Sequence, residues 1–465
     1  MNVDLAYLLF LLAAVAVFRF VVPATAVLVV FLGGWLLLPV GNYPPGSADV
    51  VFPYWITGLA LPSSMLLTKA WVAPAAALAG VMLFDRPALA RLRSGWIDLP
   101  IALWCLWPLL QSFTDIAPRP AGWLSSAYLL GCWGLPWLLG RMYFTAPAGQ
   151  LQLLKSFAIA TAVCLPISLV EGIFSPVMYG WFYDDHPFRF DGADRYAGFR
   201  PLGFFENGNQ FGLWVSLGAL AGLALVAVLR HGARRFGRYA AIALVALVIA
   251  LAAQSMGGIL LLCLGLLVFV LIRWIRPKAL LMLPLIALVL GGGIYLSGAV
   301  PIAEIGRNTA LGQKVVQTFR DAGRGSFPWR IGQDQKLIST AMARPLVGTG
   351  HWAWWREKET RPWGLALLLV GQFGLIGFTL AMGVFLWPAL LCLWRAPRTS
   401  PSSTYFVPVA LAVIACMAAI DTLMNSFIYF PALIAVGGLA GQTIPAPGVR
   451  PIASRSAERQ STAHH

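Results

Sequence analysis

Charge is what this sequence has least of: only 11% of its 465 residues are Asp, Glu, Lys or Arg, while 59% are hydrophobic. So little charge cannot cover an ordinary soluble core, which excludes a water-soluble globular domain. Acids are scarcer than bases, 18 against 33, and the formal net charge is +15. In a soluble chain that balance would suggest nucleic acid. Here Lys and Arg are divided among many short polar stretches between apolar runs, so no nucleic-acid partner is expected. Cysteine is confined to Cys105, Cys132, Cys164, Cys263, Cys392 and Cys416, all within apolar runs, and no disulfide framework is implied. Repeats at solenoid periods are absent, and no long linker marks a second domain.

What is there is one apolar run after another. Runs long enough to cross a bilayer as helices fall at about 20–40, 62–84, 97–113, 121–140, 151–174, 203–229, 239–254, 257–272, 279–297, 362–392, 404–421 and 425–441, with a shorter one at 5–18. The chain is expected to be an all-α, polytopic integral membrane protein with about 12–13 transmembrane helices, the first of them an uncleaved span. Residues 1–441 form a single transmembrane domain, and 442–465 a disordered tail. Arg86, Arg91 and Arg93, Arg141 and Lys155, Arg230 to Arg238, Arg273 to Lys278, and Arg395 and Arg398 fall in every second loop. Those loops and the C-terminus are therefore expected on the cytoplasmic side, with 175–202 and 298–361 outside. Stretch 51–61 reads as a re-entrant turn or a lost half-span. Lys69, inside an apolar run, is expected to face an internal cavity or to snorkel, while Glu171 and Asp421 sit at span ends.

The polar run 298–361 carries ten cations, among them Arg307, Lys314, Arg320, Arg330, Lys336, Arg344 and Arg361, against five acids. Long loops translocate regardless of charge, which is one reading. The other is that some of these arginines hold a phosphate-bearing substrate.

A second polar stretch holds Arg189, Asp191, Asp194 and Arg195, then Arg200, Gly203, Phe204, Phe205, Glu206, Asn207 and Asn209 at the start of a span. Amides packed there must find partners. They either cap the helix or serve a site.

The Arg200, Gly203, Phe204-Phe205, Asn207, Asn209 run resembles the O-antigen ligase and polymerase family of bacterial surface-polysaccharide assembly, which shows an Arg, a Gly-Phe pair and an Asn-Pro-Asn-like triplet at such a position. A second similarity follows the long loop: Arg330, then Arg344-Pro345-Leu346-Val347-Gly348-Thr349-Gly350, then Gln372-Phe373-Gly374-Leu375-Ile376-Gly377. The family's ligases carry a His-Asn pair and an acid where this chain has Trp363-Gly364 and Gln372, and a Ser-Arg where it has Ser255-Met256. These departures favour polymerase over ligase.

The resemblance implies a GT-C-like fold in the bacterial inner membrane, with its active site facing the periplasm. The implied activity is a glycosyltransferase polymerising undecaprenyl-diphosphate-linked repeat units onto a sugar-hydroxyl acceptor, metal-independent and without cofactor. A chain-length regulator is an implied partner, besides membrane lipid. Guanidinium groups grip phosphate oxygens two at a time, so Arg200 and Arg330 are the candidates for stabilising the departing diphosphate, with His351 or Glu206 as base. Asn207, Asn209, Arg195, Arg189, Arg344 and Trp352 are candidate substrate-binding residues. Trp352 would stack on sugar faces, unless it and its neighbours Trp354 and Trp355 are interfacial anchors. Asp184, Asp185, His186, Asp191 and Asp194 could ligate a metal, or salt-bridge to the interleaved arginines. The alternatives are a ligase joining the glycan to lipid A core or another acceptor and, from another class, a transporter of lipid-linked glycan. Transport is disfavoured by the absence of internal repeats.

Overall fold

A computed structural model describes residues 3–40, 68–90, 92, 94–118, 121–183, 186, 194–195, 198–229, 233–275, 279–280, 290–298, 300–321, 326–352, 354–355, 358, 360–396, 405–423 and 425–441. Stretch 51–61 and the tail 442–465 lie outside the described residues.

Its α-helices of seven residues or more are α1 (Val3–Phe20), α2 (Pro23–Leu37), α3 (Lys69–Phe84), α4 (Leu99–Gln111), α5 (Gly122–Leu129), α6 (Leu135–Tyr143), α7 (Pro147–Ala162), α8 (Leu165–Phe174), α9 (Gly208–Leu229), α10 (Ala233–Ala252), α11 (Met256–Leu271), α12 (Ile302–Asn308), α13 (Ala310–Asp321), α14 (Ser326–Ala341), α15 (Leu365–Arg395), α16 (Phe406–Asp421) and α17 (Pro431–Ala440). Residues 290–297 are also helical. Among the described residues the only strands are the two-residue pair β1 (Asp194–Arg195) and β2 (Gly198–Phe199), antiparallel. Four segments are long and apolar enough to cross a membrane: Val3–Phe20, Pro147–Phe174, Gly208–Leu229 and Leu365–Arg395, and shorter apolar helices surround them. This is an all-α membrane protein.

Helix α9 is at the centre, packed against α7, α10, α11 and α16. It is apolar on every face, and 17 of its 22 residues are buried. That is the pattern of a helix enclosed by others rather than one with a single core-facing stripe. Close approach of neighbours depends on small residues. A Cβ on Gly140 of α6 would lie 2.2 Å from the Ile434 carbonyl of α17, and one on Gly437 would lie 2.2 Å from the Trp137 carbonyl.

The expected span at 203–229 begins later, at Gly208, because residues 202–207 are tied into a loop. The Glu171 carboxylate accepts the N–H groups of Leu202 (2.8 Å), Gly203 (2.7 Å) and Met178 (3.1 Å), and Gly203 has φ +54°. The last span is also shorter than expected, starting at Pro431 instead of 425, since Thr422 and Asn425 turn back to bond α15. Segment 298–361 is not a plain loop: α12, α13 and α14 lie in it.

Helix α15 runs 31 residues but is broken at Gly374, which has φ 69° and ψ −177°, roughly 13 Å from its start. A break among packed apolar helices strands peptide groups that water cannot reach, at several kcal/mol each. The turn 345–350 repairs it. Thr349 and Gly350 donate to the Gly371 and Gln372 carbonyls at 2.9 Å, while Leu375 and Ile376 donate back to Pro345 (2.7 Å) and Leu346 (3.2 Å). From α4, Gln111 Nε2 donates to the Gln372 carbonyl at 3.1 Å and to Val347 at 2.5 Å, and the Trp107 indole donates to Phe373 at 2.9 Å. Both glycines at the crossing are compulsory, because a Cβ on Gly374 would lie 2.2 Å from the Leu346 carbonyl and one on Gly348 2.4 Å from that of Gln372.

Gly374→Ala is therefore expected to lower stability by on the order of 2 to 4 kcal/mol, read as a fall in the melting temperature of the detergent-solubilised protein. Gly257→Ala, where a Cβ meets nothing within 4 Å, should leave that temperature unchanged. Equal melting of the two variants would refute the account of the break.

Candidate functional site

The candidate residues fall into two clusters. The first sits where the loop before α9 meets α3. Arg200 is 5% exposed, and its Nη2 donates to Asn209 Oδ1 at 2.5 Å. Its side chain lies along the first turn of α9, and it can do so because residue 208 is glycine: a Cβ there would be 2.3 Å from Arg200 Nε. Asn207 caps the helix, its Oδ1 accepting the N–H groups of Asn209 (2.9 Å) and Gln210 (3.0 Å). The two amides thus divide the alternatives, one capping and one holding the arginine. Glu206 is buried, its own N–H donating to Gln210 Oε1 at 2.9 Å.

Lys69 corrects an expectation. It does not snorkel: fully buried, its Nζ donates to the Trp35 carbonyl at 3.1 Å and to the Phe204 carbonyl. It lies over the rings of Trp35 (5.1 Å) and Phe205 (5.2 Å), with the Glu206 charge near enough to act on it. Cation–π contacts and carbonyls replace its lost hydration. Lys69 is thereby a brace for the 203–206 loop.

His186 closes this cluster. Its Nε2 donates to the Phe205 carbonyl at 2.8 Å, and its ring meets Tyr179 edge to face at 4.8 Å. Burial, and secondarily the nearby Lys69 charge, push its pKa down to about 4, although the bond to Phe205 acts the other way. Of the other possible metal ligands, Asp184, Asp185 and Asp191 lie outside the described residues, as does Arg189. Arg195 is in β1, but its side chain is outside the description. Among the described residues no three His, Cys, Asp or Glu side chains converge.

The second cluster surrounds Arg330 of α14. Its Nη1 donates to Asn425 Oδ1 at 3.1 Å, and Asn425 Nδ2 donates to Asp421 Oδ1 at 2.8 Å. The Arg330 guanidinium lies 5.0 Å from the centre of the Trp363 ring, and that of Arg361 lies 4.1 Å from the same ring. Asp334, one helical turn after Arg330, accepts the Trp363 N–H at 2.7 Å and the Tyr295 hydroxyl at 3.3 Å. Burial raises the Asp334 carboxyl to about 6, against the lowering effect of those bonds and of Arg330. A groove of about 700 Å³ runs from here between α15, α16 and residues 291–297. It is lined by Arg330, Asp334 and Tyr295 at one end and by Phe378, Leu386, Leu390 and other apolar side chains beyond.

A file of rings connects the clusters: Phe205 meets Trp214 at 5.4 Å, and Trp214 meets Tyr429 at 5.9 Å, four residues after Asn425. The remaining candidates are elsewhere. Arg344 pairs with Asp115 at 2.9 Å on the surface. His351 is exposed at the end of the 345–350 turn, its N–H on Thr349 Oγ1 at 3.3 Å. Trp352 is buried, not an interfacial anchor: its indole donates to Ser125 at 3.0 Å and its ring abuts Phe373 at 5.3 Å, which leaves no open face for a sugar. Asp334 and Asn425 were not singled out from sequence. Each stands four residues from a partner of the same cluster, Arg330 or Asp421, a spacing that puts both side chains on one side of a helical turn.

Comparison of the chain with protein-family models, with curated proteins and with solved structures returned no match.

Because His186 is held neutral, the unfolded chain takes up a proton below about pH 6.5 that the folded protein resists until about pH 4. Its contribution to stability is present above pH 6.5 and is lost, by at most about 1.4 kcal/mol per pH unit, as pH falls through that window. His186→Gln, which keeps a donor for Phe205, should flatten the melting temperature between pH 6.5 and 4 relative to wild type. Parallel pH curves for the two proteins would contradict the buried neutral imidazole.

Proposed function

We propose that this protein is a membrane glycosyltransferase that polymerises saccharide repeat units carried on a polyprenyl diphosphate. The observation that carries the reading is the Arg330 cluster at the mouth of an apolar groove. The Arg330 and Arg361 guanidiniums both lie over the Trp363 ring, 5.0 and 4.1 Å from its centre, and the planar fork of a guanidinium suits phosphate oxygens. The cavity beside Arg330 is lined mostly by aliphatic and aromatic side chains, matching an isoprenoid chain with a charged head. A soluble nucleotide sugar would have no use for such a groove.

In this reading Arg330, with Arg361, takes the diphosphate, and Arg200, oriented by Asn209, takes the reacting sugar. The bond from the anomeric carbon to the diphosphate oxygen breaks with its electron pair leaving on the diphosphate. The acceptor hydroxyl forms the new glycosidic bond and gives its proton to a carboxylate or imidazole. Glu206 is the buried candidate for that base and His351 the exposed one. Fixed donors aimed at the leaving diphosphate supply the stabilisation that a metal would otherwise give. The helix pattern supports about 12–13 spans in a GT-C-like arrangement, and the loop charges support a bacterial inner membrane, a cytoplasmic C-terminus and a site facing the periplasm. The polymerase reading is favoured over ligase because Trp363 and Gln372 stand where a ligase needs its base and acid, and Trp363 is occupied by two arginines.

Purified protein in nanodiscs, given lipid-diphosphate-linked repeat units in EDTA, is expected to lengthen the glycan. Arg200→Ala and Arg330→Ala should each reduce turnover about 100-fold or more with the melting temperature retained. Undiminished polymer from both variants would overturn the reading. Transfer only to an added lipid A core acceptor, without lengthening, would make the enzyme a ligase.

A further inference from the structure

Beyond the site just described, the polar segment carries a second cleft. Helices α12 and α13 form a tight hairpin, with Thr309 Oγ1 accepting the Gly312 N–H at 3.0 Å and Gln313 Nε2 donating to the Arg307 carbonyl at 2.7 Å. Against the first half of α14 they enclose about 520 Å³. Its walls are aliphatic: Ile302, Ile305, Leu311, Val315 and Val316, with Trp329 as the aromatic member. These side chains face outward, Leu311 being 75% exposed, Trp329 50% and Val315 47%.

Isolated exposed apolar residues need no explanation, but a contiguous apolar cleft does. Its rim is basic. Arg307, Arg320 and Lys336 line it, and Lys314 stands on α13 beside them. On α12 and α13 the acids are Glu304 and Asp321, and the latter accepts Gln317 Nε2 at 2.6 Å. A short helical element with aliphatic residues on one side and Lys and Arg around them is the composition of an interfacial membrane-binding segment.

Position narrows the occupant. The hairpin follows directly on helical residues 290–297, where Leu290 and Ile294 are 60% and 48% exposed, as expected of a lipid-facing span. The far half of α14 is anchored to the bundle through Leu337, Ile338 and Ala341 against Leu367 and Val370 of α15. Ile331 lines both this cleft and the apolar groove beside it. The cleft is therefore held next to the bilayer. A glycan would require flat aromatic faces flanked by amides and carboxylates, whereas aliphatic walls with a cationic rim fit acyl chains below a phosphate.

We propose that the α12–α13 hairpin docks on the membrane surface by binding an acidic phospholipid, its acyl portion in the cleft and its phosphate at Arg307, Arg320 and Lys336. The binding is separate from the glycosyl transfer proposed above: its cationic residues belong to neither cluster of that site, and the two share Ile331 as a wall.

The test uses the full chain with Cys263→Ser, which removes the exposed native thiol, and Leu311→Cys carrying the fluorophore NBD. It is reconstituted in nanodiscs of phosphatidylcholine alone or mixed with phosphatidylglycerol. Expected are a blue-shifted emission in the mixed discs and quenching by lipids doxyl-labelled near the headgroup. That quenching should fall about twofold or more in pure phosphatidylcholine, or when Arg307, Arg320 and Lys336 are changed to Glu. Val315→Cys, labelled in the same way, should report the same pattern. Water-like emission in every disc would overturn the proposal. So would a blue shift without doxyl quenching, which would mean that another protein surface covers the cleft.

Discussion

A spanning helix that breaks has to find partners for its peptide groups inside the protein, because hydrocarbon offers none. This constraint organises the molecule around Gly374. The turn 345–350 behaves there as a short strand laid against an unwound helix, and α4 contributes Gln111 and Trp107 to carbonyls that a continuous α15 would have bonded itself. Three segments distant in sequence are thus fixed to one point. The fix also sets where α15 begins: Leu365 and Ala366 donate to the carbonyls of Asn425 and Thr422 at 3.0 and 3.1 Å, and Asn425 is the residue that holds Arg330. The break and the Arg330 cluster are two ends of one rigid construction.

The first cluster is built by a different device, a buried ionisable group used as a bracket. Glu171 gathers three peptide N–H groups from two loops, and Lys69 gathers two carbonyls from α2 and the 203–206 loop. Each charge replaces its hydration with backbone dipoles, and each fixes a stretch too irregular to be held by helix bonds. Arg200 inherits its orientation from this bracketing, since the loop that carries it cannot move without disturbing both.

The helices were legible from apolar runs, and most of the expected spans contain one. What failed were boundaries controlled by non-local bonds. Nothing in the apolar run 203–229 says that Glu171 will bind the peptide groups of Leu202 and Gly203, so the later start at Gly208 was not visible. The helical character of α12 to α14 was likewise hidden inside a stretch read only for its charge. In the candidate site, Arg200 and Asn209 are nine residues apart and were read together. Arg330 and Asn425 are separated by 95 positions, and no local pattern joins them. Trp352 looks from its sequence neighbours like a ring for stacking on a sugar or an interfacial anchor; a Ser125 acceptor 227 positions away and the Phe373 ring draw it into the core instead.

The geometry at Gly374 bears on how the protein is made. Every group that completes the break, Trp107, Gln111 and the 345–350 turn, precedes α15 in the chain, and only the 422–425 segment at its start follows. A polypeptide inserted from its N-terminus has therefore already delivered the partners when residues 371–376 arrive in the bilayer. The costliest stretch of backbone is laid down after the groups that receive it, so the nascent chain does not wait with bare carbonyls in lipid.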